Sequence, residues 1–146
     1  MGADETMTDR DAARQLVERY LGGLNAGDPD AVAGCVSEDF LNEHTATLGT
    51  NVRGREAYRQ RLGGFLGSFA DLHYEAEAVI VDGSRVAVPY SFSGRYLGSG
   101  GEYPEGRPFS IRGIFSIRIK GGELAHRVDY WDSAEFMRQI EAGAGD

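Results

Sequence analysis

Apolar positions in the first part of the chain recur at helical spacing, and those of the second half alternate. Ala13, Leu16, Val17, Tyr20, Leu21 and Leu24 form one stripe, which predicts a helix from about Asp9 to Ala26. Thr8 followed by Asp11 resembles a capping box at its start, and Gly27 ends it. Asp28-Pro29 opens a short second helix, with Asp28 as cap and Pro29 in the first turn; Ala31, Val32 and Cys35 ride on it. Phe40 to Thr45 reads as a short strand, and the stretch TLGTNVRG as turns. Arg55 to Phe69 is helical again, with Tyr58, Leu62, Phe65, Leu66 and Phe69 on one face and Gly63-Gly64 weakening its middle.

From Leu72 onward the period becomes two, which predicts strands at His73–Val81, Arg85–Tyr96, Phe109–Ile119 and Leu124–Trp131. Asp82-Gly83 and Gly121-Gly122 are hairpin turns, and a glycine-rich loop joins the second and third of these strands. Asp132 or Ser133 caps a final helix, Ala134 to Glu141. Helices first and a run of strands after them argue for an α+β fold: a curved antiparallel sheet packed against N-terminal helices, with a short C-terminal helix. There is no repeat and no linker, so one domain is expected over 1–146, with flexible ends at 1–8 and 142–146.

Composition narrows the function. The net charge of −8 argues against nucleic acid and against anionic lipid, both of which need clustered Lys and Arg. No segment is long and apolar enough to cross a membrane. With no secretory signal pattern at the N-terminus, the expected location is cytoplasmic. The single Cys35 allows no internal disulfide and reads as a small buried hydrophobe. Three His and one Cys at scattered positions give no metal-ligand spacing, and there is no phosphate loop, dinucleotide fingerprint or nucleophile elbow. No cofactor is expected.

The chemistry-bearing run is VDYWD, residues 128–132. Asp129 sits among apolar and aromatic neighbours. If buried, its charged form is disfavoured and its pKa rises, which suits a general acid or base near neutral pH. Alternation puts Arg127, Asp129 and Trp131 on one face of the last strand, and Asn42 and His44 on one face of the first. A pocket of Asn42, His44, Ser91, Asp129 and Trp131 in an apolar wall, with Phe109, Ile111 and Arg127, has the composition of a small-molecule site. One conflict stands. A plain two-residue turn at Gly121-Gly122 pairs Phe115 with Val128 and turns Asp129 outward, so a bulge is needed to bring it in. Periodicity alone leaves open whether Asp129 or Asp132 faces the pocket, and Asp129 could instead be an ion-pair partner of Arg112 or Arg127.

YLGGLNAGDPDAVAGCVSEDFLNEHT resembles the start of ketosteroid isomerase, HTATLGTNVRGREAYRQRL resembles the H-x-x-x-x-G-x-x-x-x-G-R stretch of SnoaL-like cyclases, and VDYWDSAEFMRQI resembles the end of those cyclases and of limonene epoxide hydrolase. Nearly the whole chain is thus similar to the cone-shaped superfamily of nuclear transport factor 2 and ketosteroid isomerase, with the SnoaL-like polyketide cyclases as the best-fitting branch. The resemblance places Tyr20 at the isomerase's oxyanion-hole tyrosine, His44 at its base (an aspartate there), and Asp129 at the catalytic aspartate of the hydrolase and the cyclases. The hydrolase also needs an Arg and an Asp two apart on the middle strand, where this sequence has Pro89 and Ser91.

The implied activity is a cofactor-free cyclase or isomerase of secondary metabolism, using acid/base catalysis on a hydrophobic polyketide-like molecule. Alternatives are a non-catalytic binding or interaction module, and a hydroxylase or ether-forming or epoxide-opening cyclase. A homodimer through the outer face of the sheet is expected, with Val79, Val81 and Ile114 needing cover there.

Overall fold

A computed structural model describes residues 9–46, 50–98 and 100–144. Thr8 and both proposed flexible ends, apart from residues 142–144, lie outside the described residues. Helix α1 spans Asp9–Ala26 and buries Leu16, Val17, Tyr20 and Leu24, the stripe that the 3.6-residue period marks. Gly27 follows in the left-handed region, φ 67°, where a side chain is strained. Helix α2, Pro29–Ala33, is capped as expected: the Asp28 carboxylate accepts from the backbone N–H groups of Asp30 and Ala31.

Strands β1 (Val36–His44), β2 (Val52–Arg53), β3 (Phe69–Ala76), β4 (Ile80–Asp82), β5 (Arg85–Tyr96), β6 (Arg107–Lys120) and β7 (Glu123–Trp131) make one sheet, and α3 (Arg55–Gly67) and α4 (Ser133–Ala144) complete the fold. The strand order is β2-β1-β7-β6-β5-β3, with β4 also on β5. All neighbours are antiparallel except β1 and β7, which run parallel because the chain crosses the whole sheet between them. The expected antiparallel sheet is therefore mixed. The expected strand over 73–81 is two strands, since pairing to β5 is interrupted between Ala76 and Ile80.

One face of the sheet carries the core. On β5 the inward side chains are Val86, Val88, Tyr90 and Phe92, and on β6 Phe109, Ile111, Phe115 and Ile117. Helices α1 and α3 and the Phe136–Ile140 side of α4 cover that face. Each fully buried large apolar side chain stabilises the fold by about 1.5–3 kcal/mol. Asp132 caps α4 by accepting from the Glu135 N–H at 3.1 Å, and its side chain is exposed. On the outer face Ile114 is exposed, as expected, while Val79 and Val81 pack against the core instead; Tyr130 and Ile80 are the other exposed large apolar residues. No described helix is long and apolar enough to cross a membrane.

Candidate active site

A cavity of 550 Å³ opens between α3, α4 and the covered face of the sheet. Phe65, Phe69, Phe92, Ile111, Phe136 and Trp131 form its apolar wall. Its polar groups include Asn42 and His44 from β1, Tyr58 and Arg61 from α3, Tyr90 from β5, and Arg127 and Asp129 from β7, with Thr50, Ser68 and Tyr96 also on the lining. Size and lining both suit a small organic molecule.

A bulge decides that Asp129 belongs here. Gly121 and Gly122 form the plain two-residue turn, both at positive φ (59° and 77°), and Lys120 pairs with Glu123 across it. The register then slips: Ile119 pairs with Leu124 but Arg118 with His126, leaving Ala125 as the extra residue. Phe115 therefore pairs with Asp129 rather than Val128, and both face inward. The bulge lies past the turn, not at the double glycine.

Asp129 is 5% exposed. The Tyr90 hydroxyl donates to its Oδ1 at 2.6 Å. His44 Nδ1 lies 3.6 Å from its Oδ2, and Arg127 Nη2 lies 4.0 Å away, both beyond hydrogen-bond length. Burial is the largest influence on the Asp129 carboxyl and pushes it up; Arg127 and the Tyr90 hydroxyl pull it back. The His44 imidazole is lowered to about 4, first by burial and then by Arg127 and Arg61, so it is neutral at pH 7. Asn42 Nδ2 and His44 Nε2 are 3.3 Å apart. Four buried polar atoms lack a partner among the described residues: Asn42 Oδ1, His44 Nδ1, Arg127 Nε and Trp131 Nε1. Buried polar atoms are normally satisfied, and a molecule in the cavity is a natural partner for these.

Behind this rim lies a second layer. Arg127 Nη1 donates to the Tyr20 hydroxyl at 2.9 Å, and the Tyr20 and Tyr58 hydroxyls are 2.5 Å apart. The Arg127 guanidinium also lies over the Phe115 ring, 4.4 Å from its centroid. Burial opposes the charge on Arg127, but the surrounding phenols and Asp129 outweigh it and raise its pKa.

Of the residues marked from sequence, Asn42, His44, Ile111, Arg127, Asp129 and Trp131 line the cavity. Three do not. Ser91 points from the opposite face of β5 and donates to Glu77, because alternation puts Tyr90 and Phe92 inside. Pro89 shares that outer face, so the inward pair on this strand is Val88 and Tyr90, and neither is charged. Phe109 is buried beneath the wall, against Phe69, Phe92 and Phe136. Tyr20 lies wholly behind the wall with its hydroxyl on Tyr58 and Arg127. Outside the cavity, His126 stands 3.0 Å from Glu43 across β1 and β7.

Tyr90, Tyr58 and Arg61 are among the cavity groups that sequence reasoning missed. Tyr90 had a signal: it alternates with Val88 and Phe92. Tyr58 looked like ordinary core at helical spacing. Gly113 has a part in placing Tyr90. A Cβ there would collide with the Tyr90 hydroxyl and lie 2.8 Å from the Tyr130 carbonyl, so its absence leaves the space through which Tyr90 reaches Asp129.

The SnoaL-like polyketide cyclase family profile matches residues 14–140. Aklanonic acid methyl ester cyclase DauD from Streptomyces sp. (strain C5) is 29% identical over 132 residues, 89% of this chain and 80% of that protein. Aklanonic acid methyl ester cyclase DnrD from Streptomyces peucetius is 29% identical over 135 residues, 91% and 90%. The structure of TsrD from Streptomyces laurentii superposes with a TM-score of 0.77 at 29% identity, covering 92% of this chain and 98% of that one.

Proposed function

The chain belongs to the SnoaL-like polyketide cyclase family, and we propose that it closes a ring in a polyketide-like substrate by an intramolecular aldol reaction, with Asp129 as base and then acid. The observation that carries this is a carboxylate 5% exposed, raised by burial, at the wall of a 550 Å³ apolar cavity.

The chemistry balances within the substrate. The Asp129 carboxylate takes a proton from the carbon next to a carbonyl. The resulting carbanion forms a carbon–carbon bond to a second carbonyl carbon, whose π pair moves to oxygen. That alkoxide takes the proton back from Asp129. Nothing is oxidised or reduced, so the reaction calls for no redox cofactor. Tyr90 holds Oδ1 and leaves Oδ2 to work beside His44. In this reading neutral His44 and Asn42, 3.3 Å apart on the cavity lining, orient a substrate oxygen. The open cavity argues against an interaction scaffold, which would tolerate the same space filled by Tyr90 and Phe92, and the buried carboxylate on its wall favours catalysis over binding alone.

Aklanonic acid methyl ester, the substrate in the names of two relatives, is the first compound to assay. Replacing Asp129 by Asn keeps the shape and removes the proton acceptor. Turnover should fall by about 10²–10⁴-fold, the usual contribution of a positioned acid or base. Undiminished turnover of a cognate substrate by D129N would sink the assignment.

A further inference from the structure

The two buried phenols behind the cavity are wired in one direction, and the direction has a chemical consequence. An arginine has five N–H donors and no acceptor. Since Arg127 donates to the Tyr20 hydroxyl, Tyr20 oxygen is an acceptor in that bond, and its own proton must go elsewhere. Tyr20 is 0% exposed, and the only other polar atom bonded to its hydroxyl among the described residues is the Tyr58 oxygen at 2.5 Å. If Tyr58 donated to Tyr20 instead, the Tyr20 proton would be buried with nothing to receive it. A buried donor left without an acceptor is costly, so the wiring runs Arg127 to Tyr20 to Tyr58.

The Tyr58 proton is then the free end of the chain. On that wiring its oxygen accepts from Tyr20, and no second hydrogen bond to its hydroxyl is found among the described residues. Unlike Tyr20, Tyr58, itself 2% exposed, lines the cavity from α3, and Asp129 lines the same cavity from β7. Its ring is clamped against Phe40, with centroids 4.8 Å apart. Burial keeps the phenol protonated far above neutral pH.

We propose that Tyr58, rather than Tyr20, is the hydrogen-bond donor that stabilises the substrate's developing enolate oxygen, with Tyr20 and Arg127 as positioning residues that orient its proton. This rests on the cyclase reading, and it adds a demand on the substrate: the oxygen that becomes anionic lies at Tyr58 while the carbon that loses its proton lies at Asp129. A donor preset towards the place where charge develops costs no reorganisation during the reaction, and a chain of bonds headed by a cation strengthens its last donor.

Binding of 2-hydroxyanthraquinone tests this without turnover. Its ionised form is an aromatic oxyanion, and ionisation changes its visible absorbance. The wild-type protein should bind the anion more tightly than the neutral dye. Tyr58→Phe should weaken anion binding by about tenfold to a hundredfold, the range of a hydrogen bond to a charged group, and shift neutral binding far less. Tyr20→Phe should give a smaller loss of the same kind, because Tyr58 keeps its proton but loses its orientation. No preference for the anion in the wild type, an unchanged preference in Y58F, or a larger loss in Y20F than in Y58F would each overturn the proposal. Circular dichroism of both variants separates misfolding from loss of the donor. If the dye results hold and D129N turns over a cognate substrate undiminished, the cyclase reading fails and Tyr58 survives as an oxyanion-binding donor; the reverse outcome fails the donor alone.

Discussion

The two faces of the sheet each carry an arginine–carboxylate pair, and the pairs behave oppositely. On the outer face Arg112 and Glu77 are bonded at 2.6 Å and 2.8 Å, and the arginine holds the Glu77 carboxyl below its usual range. On the covered face Arg127 and Asp129 stand 4.0 Å apart, and burial pushes the Asp129 carboxyl up despite the nearby cation. Both join an arginine to a carboxylate, but the outer pair links β6 to the bend after β3 in direct hydrogen bonds, while the inner pair stands two residues apart on β7 without one. Access to water differs as well. Outside, solvent carries most of the cost of charge, and the partner decides the shift. Inside, desolvation comes first and the partner only moderates it. A carboxylate primed to move protons is made by burial with an incomplete partner.

The comparison breaks most clearly if the inner arginine proves as dispensable as the outer one. Arg127→Met removes the partner of a buried carboxylate and the donor to Tyr20, and should destabilise the fold by about 3–5 kcal/mol in urea denaturation. Arg112→Met should leave the denaturation midpoint where it is. Equal midpoints for the two variants would refute the contrast.

A second effect sharpens it through pH. His44 belongs to the covered face, and its folded pKa of about 4 lies below the ordinary 6.5. The unfolded chain therefore binds a proton more readily, so this contribution to stability is complete above pH 6.5 and is lost as pH falls towards 4. The loss amounts to about 3 kcal/mol at most. His44→Gln should flatten the stability–pH curve within that window, read from denaturation midpoints at pH 4, 5, 6 and 7. An unaltered slope would mean that water reaches the ring.

The smallest of the expected effects concerns the space that Tyr90 uses. Gly113→Ala puts a methyl into the Tyr90 hydroxyl and against the Tyr130 carbonyl. The cost should be about 1–3 kcal/mol, the usual range for overpacking. Asp129 also loses its donor, so its carboxyl should rise further, visible as an alkaline shift of the acid limb of the rate profile. Ser116 is exposed on the same strand, and Ser116→Ala should change neither quantity.

Much of the architecture could be read from apolar spacing. The stripe of α1 and its ends, the Asp28 cap and the span of β5 follow from local rules, since a helix stripe and a strand alternation are properties of neighbours in the chain. The two-residue β2 escaped notice because it is too short to show a period. Ser91 was misplaced for a different reason: polar character suggested a pocket, whereas strand parity, visible in Val88, Tyr90 and Phe92, already assigned the inside to the aromatic residues.

From sequence alone, then, came the helices, the strands, the family and the suspicion about Asp129, because periodicity and motif are one-dimensional. Tertiary structure decided which way Asp129 points, through one unpaired residue at Ala125. It decided that Tyr58 and not Tyr20 meets the cavity, since α3 stands beside the open space and Tyr20 of α1 is wholly buried behind it. And it decided that Tyr90 crosses an absent side chain at Gly113 to reach the carboxylate. The physical reason is common to all three. Bulge, helix approach and clearance depend on contacts between residues far apart in the chain, and the energies that set them are felt only when the parts have closed on each other.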